Sequence, residues 1–151
     1  MVEKSDTATA IMLAIFHLNG ALIDKGNRLS EPLGLTSTRW QILGAIALST
    51  ERPTAPQIGD MMGMTRQGVQ RQINLLVEEK MIEARANPRN MRSPFYILTE
   101  LGATTYARVM ALETIWADAL VETIAGEDLQ TTLTTLKKLG ETLQKTPLPA
   151  Q

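Results

Sequence analysis

The sequence predicts a mainly α fold with a small β-hairpin: a winged helix-turn-helix flanked by long N- and C-terminal helices. Three observations carry this prediction. Thr54–Lys80 reads as two short helices joined by a tight turn at Gly63. Residues 82–98 read as two short strands around a turn-rich loop. Outside this unit, apolar residues recur at helical spacing over three long stretches.

Taken in order, residues 1–6 are expected to be loose. From about Thr7 to Leu29 the chain reads as a long helix. Ile11, Met12, Ile15, Phe16, Leu18, Leu22 and Ile23 form its broad apolar stripe. Gly20 and Gly26 weaken it by about 1 kcal/mol each relative to Ala. His17 reads as a polar residue at the edge of a helix contact. A ligand contact is the sharper alternative, since a neutral imidazole both donates and accepts. Pro32 and Gly34 mark residues 30–35 as a connector. Thr36 is placed to cap a helix to about Ser49, with Trp40, Leu43, Ile46 and Ala47 facing the core and Arg39 and Gln41 facing away. Trp40 reads as packing, with a place in a small-molecule pocket as the alternative. Thr50–Pro53 then break the chain.

Thr54 and Gln57 have capping-box spacing, and Pro56 falls in the first turn, where its missing N–H costs little. Ile58, Met61 and Met62 give a short apolar face. Gly59 leaves room for a close helix crossing. Gly63 can take positive φ and end the helix, Met64 plugs the turn, and Thr65 caps the second helix. In that second helix Val69, Ile73, Leu76 and Val77 make the buried face. Arg66, Gln67, Gln70, Arg71 and Asn74 fall on the other side, and none is acidic. Arg reads guanine edges, and Gln or Asn reads adenine edges, by paired hydrogen bonds. An ordinary solvated face is the plain alternative. The preceding helix, the Gly turn and the hairpin favour a helix that lies on DNA.

The hairpin is expected as strand 82–86, loop 87–94 carrying Arg89 and Arg92, and strand 95–98. Its arginines would reach the minor groove or phosphates. Thr99 caps another helix running to about Ile124, apolar on several sides through Leu101, Tyr106, Val109, Met110, Leu112, Trp116 and Leu120. Ala125 and Gly126 break it. Glu127 to about Lys145 is the last helix, with Leu129, Leu133, Leu136, Leu139 and Leu143 as its stripe. The first and last helices carry more apolar surface than one small domain covers. Residues 1–35 and 100–146 are therefore expected to be dimerisation helices around a winged helix at 36–99, with 147–151 a disordered tail.

Composition bounds the function. The chain has 151 residues, 44% hydrophobic, which suits one compact protomer. It has no cysteine, so disulfides, thiol redox sensing and thiolate metal sites are excluded. One histidine argues against a transition-metal site, and no cofactor is expected. No uninterrupted run of 18 apolar residues and no signal-peptide pattern point to a cytoplasmic protein without a membrane span. Between Arg52 and Arg92, seven basic residues stand against four acidic ones, in a chain of net charge −1. A basic segment in an acidic frame suits a protein that offers DNA one face.

These residues resemble the MarR-type (multiple antibiotic resistance) winged helix-turn-helix regulators. The resemblance rests on Leu35-Thr36, Trp40-Gln41-Ile42-Leu43, Ile58-Gly59, Met62-Gly63-Met64-Thr65, Val69 and Leu76, and on the closing Leu98-Thr99-Glu100-Leu101-Gly102. It spans from Ala10 to about Leu143. Three positions depart from the family pattern. The wing's usual Asp-x-Arg reads Asn90-Met91-Arg92, the Gly often found after the second helix is Lys80, and a usually apolar site is Gln72. The resemblance implies a homodimer on double-stranded DNA, most often a repressor, with an inverted-repeat operator. It also implies release by a small phenolic or aromatic effector in a cleft for which His17, Trp40 and Trp116 are candidates. DNA contacts would fall to Arg66, Gln67, Gln70, Arg71, Asn74, Arg89 and Arg92, with Thr65 on phosphate at a helix N-terminus.

Two other classes of function find less support in the residues. For an enzyme there is no Gly-rich phosphate loop, nucleophile elbow, HExxH or Cys-His pair. A winged helix that binds protein instead of DNA should expose Leu, Phe or Tyr where this chain has Arg, Gln and Asn.

Overall fold

A computed structural model describes residues 3–150. The chain forms two compact units, residues 1–113 and 114–151. In the first, α1 (Lys4–Ser30) is followed by a 3-10 turn (Glu31–Leu33), α2 (Ser37–Leu48), α3 (Ala55–Met62), α4 (Arg66–Glu78), β1 (Ile82–Arg85) and β2 (Phe95–Leu98). Helix α5 (Glu100–Val121) begins in this unit. The second unit holds the end of α5 and α6 (Gly126–Lys145).

Helix α1 starts earlier than expected, with Asp6 placed favourably in its first turn. Met1 and Val2, the other residues expected to be loose, lie outside the described residues. With its 3-10 turn, α1 is long and apolar enough to cross a membrane by length and composition. An uninterrupted apolar run is too strict a criterion for such a helix. Thr9, His17 and Asn19 interrupt the run, yet no charge falls between Asp6 and Asp24. Only Gly26 and Ser30 of α1 are buried.

The C-terminal end of α1 is clasped to the start of α2. Ser37 Oγ donates to the Ile23 carbonyl at 2.8 Å, and the Ser37 amide donates to Asn27 Oδ1 at 2.8 Å. A Cβ on Gly26 would stand 2.3 Å from Ser37 Oγ. The glycine that weakens the helix thus makes room for the clasp. Thr36 caps α2 by accepting from the Arg39 amide.

The core joins α2, α3, α4 and the hairpin through Ile42, Leu43, Ile58, Val69, Ile73, Leu76 and Ile82, with Val109 of α5 also fully buried. Trp40 and Met64 pack against it. Three expected core positions are corrected. Ala47 is exposed, and Met61 and Val77 are 55% and 39% exposed. Each lies at the margin of its helix's apolar stripe, so the neighbouring elements cover it only in part. Gln72 is half-buried at the border of the packed face of α4.

The hairpin pairs antiparallel, with Ile82 opposite Leu98 and Arg85 opposite Phe95. An isolated bridge joins Thr54 to Phe95, and the Tyr96 amide donates to the Pro53 carbonyl at 2.9 Å. The hairpin is therefore fastened to the residues that start α3. At the base of α5, Thr99 Oγ1 donates to the Lys80 carbonyl at 2.6 Å and accepts from the Gly102 amide at 3.0 Å. A Cβ on Gly102 would stand 1.9 Å from the Met81 carbonyl oxygen, so only glycine fits.

In the second unit no residue of α6 is buried, and Leu133, Leu136, Leu139 and Leu143 are 39–75% exposed. Helix α5 ends at Val121, short of Ile124, and α6 includes Gly126. Residues 147–150 carry no regular structure, and Gln151 of the expected disordered tail lies outside the described residues.

Candidate nucleic-acid interface

The turn between α3 and α4 is built as its residues dictate. Gln57 Oε1 accepts from the Thr54 amide at 2.9 Å and from its hydroxyl at 3.2 Å, closing the capping box. Gly63 has φ 64° and ends α3. The Met64 amide donates to the Gly59 carbonyl at 2.9 Å. A Cβ on Gly59 would meet the Met64 carbonyl and Val69 Cγ1 at 3.3 Å, so glycine lets α4 approach closely. Thr65 Oγ1 accepts from the Gly68 amide at 3.1 Å and caps α4, a role that uses the oxygen as acceptor and leaves the O–H as a donor.

Val69, Ile73 and Leu76 bury one side of α4 completely. On the other side Arg66, Gln67, Arg71 and Asn74 are exposed, and Gln70 is half-buried. Gln67, Gln70, Arg71 and Asn74 border one shallow depression of about 470 Å³, together with Leu75 and Glu78. Gln70 Nε2 donates to Asn74 Oδ1 at 2.9 Å. The end of α4 is fixed by the Arg39–Glu79 ion pair at 2.6 Å and by a turn in which the Met81 amide reaches the Leu76 carbonyl at 2.9 Å. That turn puts Lys80 at φ 59°, a left-handed conformation that glycine adopts without strain.

The wing loop is organised by two asparagines. Asn87 is 6% exposed; its Oδ1 accepts from the Arg89 amide at 3.2 Å and its Nδ2 donates to the Ser93 carbonyl at 2.9 Å. Asn90 Oδ1 accepts from the Arg92 amide at 3.1 Å. Position 90 therefore holds Arg92 through its backbone, where an acid would hold its guanidinium. Asn side chains that bond the backbone two residues on are a recognised turn device. That propensity was the signal available in the sequence for both residues. Among the described residues the ion pairs are Arg28–Asp24, Arg39–Glu79 and Arg85–Glu83. Arg66, Arg71, Arg89 and Arg92 are exposed, and none of these ion pairs includes them.

Trp40 lines an apolar depression of about 500 Å³ with Gly44, Leu48, Met61, Met62 and Tyr106. His17 is exposed on α1 and is not among these residues, and Trp116 belongs to the second unit. Met61, Met62 and Tyr106 carry no signal of a ligand role in the sequence, where each reads as an apolar residue of its helix. A Cβ on Gly44 would stand 3.4 Å from the Tyr106 ring, so the glycine keeps this wall open. Among the described residues no three His, Asp or Glu side chains gather to hold a metal.

Two helices joined by a tight glycine turn, with a hairpin fastened beside them, define a winged helix-turn-helix. A family model described as the MarR family matches residues 33–93. An uncharacterized protein of Mycobacterium tuberculosis, Rv2011c, is 32% identical over 135 residues, covering 89% of this chain and 93% of its own. A solved MarR family transcription regulator, SP03579, is 25% identical, with TM-score 0.78 over 95% of this chain and 97% of its own. A mutant MarR of E. coli complexed with operator DNA is 19% identical, with TM-score 0.75 over 91% and 99%. CouR of Rhodococcus jostii RHA1, bound to p-coumaroyl-CoA, is 16% identical, with TM-score 0.77 over 93% and 95%. The chain belongs to the MarR family of transcription regulators.

Proposed function

We propose that this protein is a homodimeric, cytoplasmic transcriptional regulator that binds an inverted-repeat operator and acts as a repressor. The carrying observation is the outer face of α4: Arg66, Gln67, Gln70, Arg71 and Asn74 stand along a helix that buries Val69, Ile73 and Leu76 on its other side. Such a face, held on a rigid core, suits base-edge reading in the major groove. Arg89 and Arg92 on the wing supply the flanking contacts, and the N-terminus of α4 with Thr65 supplies a phosphate contact. The MarR structure with operator DNA supports this assignment by shared fold.

The second copy follows from the exposed apolar stripes of α1 and α6. Leu13 and Phe16 are 64% and 75% exposed, and Leu143 is 75% exposed. A monomer in water seldom leaves so much apolar surface uncovered. A twofold pair would place its recognition helices about 34 Å apart, one turn of DNA. A small aromatic or phenolic effector would bind near Trp40 and favour a spacing that misfits the operator. The ligand-bound CouR supports a small-molecule partner by analogy of fold. A protein-binding winged helix is the lesser reading, since Leu75, at 38% exposure, is the apolar residue within the polar depression of α4. No catalytic role is assigned to the chain.

The test is binding to DNA upstream of the protein's own coding region, against scrambled DNA of equal length, over a salt titration. Preference by about 10³-fold or more is the expected outcome. Arg92→Ala should weaken binding to every sequence and flatten the salt dependence. Equal affinity for both DNAs at all salt concentrations would count against the proposal.

A further inference from the structure

Gln70 and Asn74 stand one helical turn apart on α4, and the 2.9 Å bond between their amides joins them into one unit. Gln70 Nε2 also donates to the Tyr96 hydroxyl at 3.5 Å. Tyr96 lies on β2, is 5% exposed, and has its amide tied to Pro53. The phenol is thus held by the core, and Gln70 is held by the phenol. Neighbouring Arg66, Gln67 and Arg71 are exposed on the same helix without such anchors.

A lone amide turns over freely and shows a partner either its oxygen or its nitrogen. Two amides bonded to each other use one donor and one acceptor between them. They then show one of each outward, here Gln70 Oε1 as acceptor and Asn74 Nδ2 as donor. In the major groove, adenine places an N6 amino donor beside the N7 acceptor. Guanine offers two acceptors, thymine an acceptor and a methyl group, and cytosine an amino donor alone.

We propose that Gln70 and Asn74 act as one reading unit for adenine, in which their mutual bond sets the orientation of the amides and Tyr96 is the positioning residue that holds Gln70 against the core. The proposal rests on the DNA-binding reading above. It ranks the bases: adenine first, cytosine second, guanine and thymine last, because Gln70 Oε1 would face O6 or O4. Leu75 borders the same depression and is 38% exposed, which suits contact with the C5-methyl of a thymine.

The experiment is selection from randomised DNA by the full chain, followed by competition among the four base pairs at each enriched position. Wild-type protein should prefer adenine over guanine by about tenfold or more at one position per half-site. Gln70→Ala should abolish that preference. Asn74→Ala frees the Gln70 amide to turn over and should reduce the preference to about twofold, at that position alone. Tyr96→Phe keeps the ring in the core. It should weaken the preference severalfold while leaving the melting temperature and the affinity for random DNA unchanged. If wild-type protein selects a sequence but Asn74→Ala and Tyr96→Phe leave every preference intact, the reading unit is refuted and DNA binding stands. A guanine preference at the position sensitive to Gln70→Ala refutes it equally. If no sequence is enriched, the DNA-binding reading fails and this proposal fails with it.

Discussion

The winged helix and the long helices treat their apolar residues in opposite ways. In α4, Val69, Ile73 and Leu76 are completely buried, and the outer face is left to polar groups. In α1 the whole stripe from Met12 to Ile23 is about two-fifths exposed or more, and α6 buries nothing. One chain is enough to complete the first region and leaves the second uncovered. The reading head closes its own core, while the long helices keep their apolar stripes exposed, and the proposed dimer rests on that difference. Burying a Leu or Phe side chain contributes roughly 1.5–3 kcal/mol, so an uncovered stripe is a strong drive to association.

A charge placed on the uncovered side should have the largest effect. Phe16→Glu should raise the dimer dissociation constant by about 100-fold or more, since a buried unpaired carboxylate costs several kcal/mol. Sedimentation velocity checks it, and a helical circular dichroism spectrum close to wild type separates dissociation from unfolding. Next is the seam where α5 meets the winged helix. Gly102→Ala should cost more than about 2 kcal/mol, because its Cβ would collide with the Met81 carbonyl rather than with a side chain that can move. Thermal melting would show it as a fall of roughly 5 °C or more.

Two smaller effects belong to the self-contained reading head. Asn90→Ala removes the bond to the Arg92 amide and should lower operator affinity about fivefold, near 1 kcal/mol, while Asn90→Asp keeps the turn. Fluorescence anisotropy of the three proteins distinguishes a backbone role from a mere loss of volume. Smallest, Lys80→Gly should stabilise the fold by about 0.5–1 kcal/mol, because glycine relieves the positive φ but gains freedom in the unfolded chain. Urea denaturation reads it as a raised midpoint with unchanged slope.

Much of the reading head was legible because local rules decide it. Caps at Thr36, Thr54, Thr65 and Thr99, the turn at Gly63 and the close approach at Gly59 each follow from residue type and spacing. What the sequence concealed depends on distance in space. The Arg39–Glu79 pair joins residues forty positions apart, the Gln70–Tyr96 bond twenty-six, and the clasp of Ser37 on Ile23 fourteen. Gly26 and Gly102 read as weak points or motif letters until the groups they admit are seen. Ala47, Met61 and Val77 look like core by periodicity, yet periodicity gives only the direction of a side chain. Whether a neighbour stands there is a property of the packed fold.

Native mass spectrometry of the protein with DNA obtained by selection would decide whether two reading heads work as a pair. Two copies of the chain are expected on one duplex that carries an inverted repeat, with half-site centres about 10 base pairs apart. A single copy bound to a lone half-site, with the free protein monomeric at micromolar concentration, would contradict that pairing.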